Sequence, residues 1–247
     1  MNTSQHSVPS RQAFSRLELV VVVFTLALLA AVALPVLANT RPRADRITCV
    51  NNLRQIGKAF NSWASDHFDL NPWFLSTGDG GNSEFYIGPL RSQVWFQYSW
   101  ISNELDSPKV LADPADNTGR PSSLNVATSW EYNANGGLLH PAYQNNAVSY
   151  FLGTHANFPR SLLCGDRNVV TTGKNSPCFT TLTCTAIAAS AGNVVPDTTG
   201  WTNAVHGENG NLLSNDGQVR QLDSAGLRKA LDSVPMDGSI HHFLFPF

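Results

Sequence analysis

Few residues of this chain are of types and spacings that could do chemistry. Gly165-Asp166-Arg167-Asn168 sets a carboxylate beside a guanidinium, and a hydrolase would have to be built around Asp166 and His206. A nucleophile is missing, since no serine stands in a Gly-x-Ser-x-Gly setting. Hydrogen bonding within a loop accounts for Asp166 and Arg167 more simply. His206 with Asp216 offers two donors to a metal, but no further strong ligand stands out beside them. His241 and His242 lie in the apolar tail Ile240 to Phe247, where adjacent strand residues face opposite sides and do not chelate one ion. Asp113, Asp116, Asp197 and Asp216 supply hard oxygens of the kind calcium takes, without EF-hand spacing. Turn formation explains such aspartates better. The chain is therefore not read as an enzyme, and no residue is assigned as catalytic. Asp113, Asp116 and Asp216 stay weak metal candidates, while His206, Asp216 and Gly217 form a motif of unassigned role.

The rest of the chain has to position these groups. Its 247 residues are enough to bury a core. Charged residues are only 14% and the net charge is -2, which gives nucleic acid no reason to bind. Much of the hydrophobic content precedes Ala38, and the chain beyond it is rich in Asn, Ser, Thr, Gly and Pro. Four cysteines, Cys49, Cys164, Cys178 and Cys184, contain no Cys-x-x-Cys and allow several pairings. Cys178 and Cys184 are the nearest pair, and a disulfide there and buried free thiols both fit.

Residues Leu19 to Ala38 carry no charge, and as a helix they would span roughly 30 Å, a bilayer core. The thirteen residues before Phe14, MNTSQHSVPSRQA, are polar. A secretory signal would instead be cut after the apolar run, where Val32 to Asn39 contains small residues. Arg41, Arg43 and Arg46 after the run outnumber Arg11 and Arg16 before it, so charge counting alone favours the reverse topology.

Just ahead of the run stands Ala13-Phe14-Ser15-Arg16-Leu17-Glu18. It resembles the processing site of type IV pilins and type II secretion pseudopilins: a short polar leader, a small residue, then Phe, with Glu fifth. The resemblance implies that a prepilin peptidase cuts between Ala13 and Phe14 and methylates the new amino terminus. Most of that family has Gly where this chain has Ala13. Pro35 falls where many pilin helices carry a kinking proline. The resemblance also implies that Glu18 pairs with the amino terminus of a neighbouring subunit and sets register during assembly; simple solvation at the headgroup level is the plainer alternative. Some pseudopilins bind calcium in a C-terminal loop, which keeps calcium open as a cofactor.

After Pro42, Ile47, Val50, Leu53, Ile56, Phe60, Trp63 and His67 recur every three or four residues, predicting an amphipathic helix that ends at Asn71-Pro72. Within it, Cys49-Val50-Asn51-Asn52-Leu53-Arg54-Gln55-Ile56-Gly57 resembles a group of bacterial pilin-like proteins with a Cys-x-Asn-Asn-Leu-x-Gln-Ile-Gly helix. That group often continues with Cys-Pro-x-Asp. The matching stretch here, Leu111-Ala112-Asp113-Pro114-Ala115-Asp116, lacks the cysteine. The group also ends with His, nine residues, then Asp-Gly, which His206 and Asp216-Gly217 reproduce. Short runs at Val94 to Tyr98, Val148 to Leu152 and Phe179 to Thr183 read as strands. Gly210 to Ser214 and Gln218 to Leu222 flank Asn215-Asp216-Gly217, a hairpin signal, and a helix follows from Asp223 to Leu231.

The expected fold is α+β and pilin-like: a long N-terminal helix, membrane-spanning in its first half, packed on an antiparallel β-sheet head. The expected division is a leader over 1–13, a transmembrane and assembly segment over 14–40, an amphipathic half-helix over 41–70 and a β-rich head over 71–247. The resemblance implies a structural pseudopilin or pilin subunit, anchored single-pass in a bacterial inner membrane with its head in the periplasm. Its implied partners are copies of itself or related pilins, the prepilin peptidase, a secretion or pilus assembly platform, and membrane lipid. An anchored binding protein that never polymerises is the rival, its head tryptophans suited to carbohydrate if exposed. A tethered hydrolase comes third.

Overall fold

The computed structural model describes residues 15–81, 93–116, 126–154, 161–170, 185–189, 195, 197–232 and 241–246, with side chains left aside at 33–41, 185–189 and 241–242. The chain divides into two compact units, Met1–Arg43 and Ala44–Phe247. Helix α1, Arg16–Ser65, carries residues of both.

In the first unit, the apolar side chains of α1 from Leu17 to Val32 are exposed. The membrane-spanning half of the expected fold is corrected here: among the described residues no helix is long and apolar enough to cross a membrane. The expected transmembrane segment and the single-pass inner-membrane location fall with it.

The second unit is α+β. Strands β1 (Tyr150–Gly153), β2 (Leu162–Asp166), β4 (Thr185–Ala189), β6 (Asn209–Ser214), β7 (Val219–Asp223) and β8 (His241–Phe245) form one antiparallel sheet in the order β4-β8-β1-β2-β6-β7. A two-stranded sheet pairs β3 (Val169–Val170) with β5 (Gly200–Trp201). Strands β1, β2 and β6 of the large sheet are buried on both faces, with side chains alternating between them except at an irregularity of register between Leu162 and Cys164. Tyr150, Leu152, Leu163, Cys164, Leu213 and Leu244 face the core shared with α1. Phe151, Leu162, Leu212, Phe243 and Phe245 face a second core with Trp201 and Leu227 of helix α4 (Ser224–Asp232).

On α1, Cys49, Leu53, Ile56, Phe60 and Trp63 all lie on the buried face, spaced four, three, four and three residues apart. The stripe is rotated from the one expected: Ile47 is exposed and Val50 half-buried, with Cys49, Asn52 and Ala59 buried instead. Gly57 allows the close approach, because a Cβ there would sit 2.9 Å from Leu213 Cδ2. The helix ends at Ser65, short of Asn71, and Phe68 and Asp69 come after it with φ of 60° and 57°. The run expected as a strand at Val94 is helical: α2 (Val94–Ser99), with α3 (Ser102–Leu105) after it. Val94, Trp95 and Tyr98 are buried at helical spacing, so the β-prone residue types yield to packing. The Phe179 to Thr183 run lies outside the described residues. The hairpin forms, β6 and β7 pairing from Asn209↔Asp223 to Leu213↔Val219.

Candidate functional site

Four donors from separate stretches of chain meet where α1 crosses the sheet. Cys49 lies four residues before Leu53 on the buried stripe of α1. Asp166, two residues beyond Cys164 on β2, shares its face and so points at the helix; Asn211, two before Leu213 on β6, does the same. His206 precedes β6, and Asp113 comes after a short 3-10 turn at Pro108–Leu111. Cys49, Asp113, Asp166 and His206 are all buried, and their donor atoms lie within 4.8 Å of one another.

The Cys49 thiol donates to Asp166 Oδ1 at 3.1 Å. His206 Nε2 meets Asp113 Oδ2 at 3.0 Å and stands 3.8 Å from Asp166 Oδ2. Asn211 fixes the set from behind: its backbone N–H reaches Asp166 Oδ2 at 2.7 Å, and its Nδ2 reaches Asp166 Oδ2 at 3.1 Å and Cys49 Sγ at 3.2 Å. The Ala115 N–H donates to Asp113 Oδ1 at 2.8 Å, and Arg46 Nη2 holds the His206 carbonyl at 2.9 Å. Burial and the neighbouring Asp113 carboxylate push Asp166 up to about 7. Burial also pushes the Cys49 thiol far up, reinforced by Asp166 and Asp113, so it is no activated nucleophile. For His206 burial acts downward, but the Asp113 hydrogen bond and the charges of Asp166 and Asp113 leave it raised.

A second buried network lies alongside. Arg167 grips Asp116 with Nε at 2.8 Å and Nη2 at 3.3 Å, and Ser149 Oγ donates to Asp116 Oδ2 at 2.8 Å while accepting the Asp113 N–H at 2.9 Å. Asp166 and Arg167, adjacent in sequence, thus serve different networks.

The aspartates named as metal candidates do not converge. Asp113 joins the cysteine and histidine, Asp116 is held by Arg167, and Asp216 accepts the Gln218 N–H at 3.1 Å in the exposed β6–β7 turn. Nor do His206 and Asp216 meet: the six residues of β6 separate them, roughly 20 Å of strand. Gly217 serves the turn, with φ of 81°.

At the other end of the chain, Ser15 and Glu18 form a capping box on α1. The Ser15 N–H reaches Glu18 Oε2 at 2.9 Å, and the Glu18 N–H reaches Ser15 Oγ at 3.2 Å. Hydrogen bonds from the Ser15 backbone and hydroxyl hold the exposed Glu18 carboxyl below its ordinary value. The Ser-x-x-Glu spacing is readable in the sequence, though the processing motif overlies it. Pro35 lies within the helical span, its side chain outside the described residues. Ala13 and Phe14, and Cys178 and Cys184, also lie outside them. Cys49 and Cys164 are free and buried.

Compared with known protein families, with curated proteins and with solved structures, the chain finds no match.

Proposed function

We propose that this chain is a non-enzymatic, pilin-type structural subunit that assembles through the first part of α1 into a filament of a type II secretion or type IV pilus-like system. One observation carries the reading. From Leu17 to Val32, Leu17, Leu19, Val20, Val21, Val22, Val23, Phe24, Leu26, Leu28, Leu29 and Val32 all expose their side chains. Such a surface goes all round the helix, and an exposed contiguous apolar surface marks an interaction site. Copies of the same helix are its matching cover, because they present the same apolar chemistry without a polar face. The buried position of Asp166 and His206 supports a structural rather than hydrolytic role, since a substrate would have to open the fold to reach them.

The test combines the native amino terminus with assembly. Mass spectrometry of protein from its source is expected to find a chain beginning at Phe14 with an N-methyl group, within filaments visible by electron microscopy. A Phe24→Glu variant sets a charge into the apolar surface and is expected to fold yet stay out of the filament. A native chain beginning at Met1, or normal incorporation of Phe24→Glu, would overturn the proposal.

A further inference from the structure

We propose that Cys49, Asp113, Asp166 and His206 form a closed tetrahedral site for a zinc-type divalent transition metal, which pins α1 to the sheet. This goes beyond the assembly reading and stands or falls independently of it.

The geometry is nearly that of a coordination shell. Metal–ligand bonds of about 2.0–2.3 Å place tetrahedral donors roughly 3.3–3.8 Å apart. The observed separations are 3.1 Å from Cys49 Sγ to Asp166 Oδ1 and 3.0 Å from His206 Nε2 to Asp113 Oδ2, with the other Asp166 oxygen, Oδ2, 3.8 Å from His206 Nε2. One donor atom from each of the four residues lies within 4.8 Å of the other three. Side-chain torsions that move donors by up to about an ångström, from separations within 4.8 Å to roughly 3.3–3.8 Å, would turn this hydrogen-bonded ring into a coordinating one.

The charge count points the same way. Two carboxylates and a thiol are buried together with one imidazole, so even a protonated His206 balances only one of the two carboxylates when both are ionised, and buried charges are paired or coordinate metals. Arg167 bonds Asp116, and the Arg46 guanidinium donates to the carbonyl of His206. A divalent cation would satisfy both carboxylates while displacing the thiol proton to solvent.

The donor types select the metal class. One sulfur and one imidazole nitrogen suit zinc and its first-row neighbours, whereas calcium and magnesium take oxygen ligands in larger number. Four protein donors leave no open position, so the site is structural rather than catalytic. An outer shell is already built: Asn211 holds Asp166 and Cys49, and the Ala115 N–H holds Asp113.

The test uses the full chain with Zn²⁺ and Co²⁺ as probes. Wild-type protein is expected to bind one Zn²⁺ per chain and to show a thermal midpoint that rises until one equivalent is added. Co²⁺ is expected to give the intense visible bands of a tetrahedral complex together with thiolate-to-cobalt charge transfer. Cys49→Ser should abolish that charge-transfer band and weaken Zn²⁺ by more than about tenfold, the least that even outer-shell changes cost. Asp216→Asn, in the exposed turn, should bind as wild type does. No rise in midpoint with Zn²⁺, an octahedral cobalt spectrum without thiolate absorption, or an equal rise with Ca²⁺ would each overturn the site. These readings on wild-type protein decide the matter even if Cys49→Ser does not fold; a folded Cys49→Ser with undiminished binding overturns it too.

Discussion

Ser15 and Glu18 bond each other reciprocally, each side chain accepting the other's backbone N–H, at 3.2 Å and 2.9 Å. Glu18 thus has a local task besides the one assembly would give it. The two separate cleanly, because glutamine can also complete a capping box but carries no charge. Glu18→Gln should keep the first turn of α1 protected from amide exchange yet fail to enter filaments. Glu18→Ala should lose both. Normal incorporation of Glu18→Gln would show that the carboxylate charge does not set register.

The same pair predicts a pH dependence. Hydrogen bonds from Ser15 lower the folded-state value of Glu18 below its ordinary carboxylate value, so its ionised form favours the capped turn. That contribution is in full force above the ordinary value and is lost as pH falls through the lowered one. The protection factors of amides in the first turn of α1, taken against the intrinsic exchange rate at each pH, should fall across that acidic window in wild type. In Glu18→Gln that pH-dependent loss of protection should be absent.

Gly57 predicts a packing effect. A Cβ at this position would lie 2.9 Å and 3.3 Å from the two terminal methyls of Leu213, which is fully buried. Gly57→Val should lower unfolding free energy by about 1–3 kcal/mol through overpacking. Combining it with Leu213→Ala, which alone should cost about 2–5 kcal/mol, should lose less than the sum, because the cavity accepts the new methyls. Denaturant unfolding of the four proteins measures the coupling; strict additivity would mean the helix stands off the sheet.

These residues also show what the sequence discloses. Leu53, Ile56, Phe60 and Trp63 announce their helix by spacing, and Asp216-Gly217 announces a hairpin by turn chemistry, because both signals are local. Val94 to Tyr98 misleads: β-branched and aromatic residues are packed as a helix by partners remote in sequence. Cys49 lies on the helical stripe and could have been counted there. Its bond to Asp166 crosses 117 positions and that of His206 to Asp113 crosses 93, so no local pattern encodes them. The stretch that lacks the cysteine of the resembling group is where Asp113 comes to face Cys49.

Asp116 and Arg167 should be costly to separate. Both are buried, and the guanidinium bonds both carboxylate oxygens. Arg167→Leu strands a buried carboxylate, which is expected to cost about 3–5 kcal/mol. Asp116→Leu with Arg167→Leu should recover part of that loss, since an apolar replacement of both partners leaves no orphan charge. Chemical denaturation at neutral pH checks both. A loss below about 1 kcal/mol for Arg167→Leu, the size of an exposed pair, would mean that water reaches the site.

The last prediction concerns where the folded domain begins. Unit Ala44–Phe247 is compact by itself, and its core takes Cys49, Leu53, Ile56, Phe60 and Trp63 from α1. The side chains from Leu17 to Val32 are exposed and belong to neither core cluster. A chain beginning at Arg43 should therefore fold, remain monomeric and unfold at the same midpoint as the second unit of the full protein. A chain beginning at Asn71 loses four large apolar side chains from one face of the sheet. At roughly 1.5–3 kcal/mol for each such side chain, that loss is comparable to the whole stability of about 5–15 kcal/mol expected of a domain. It also removes Cys49, leaving Asp166 and Asn211 without the thiol they bond. This shorter chain should aggregate or lack a cooperative transition, read by circular dichroism melting and light scattering. If it folded cooperatively, the second part of α1 would be an accessory to the sheet rather than one wall of its core.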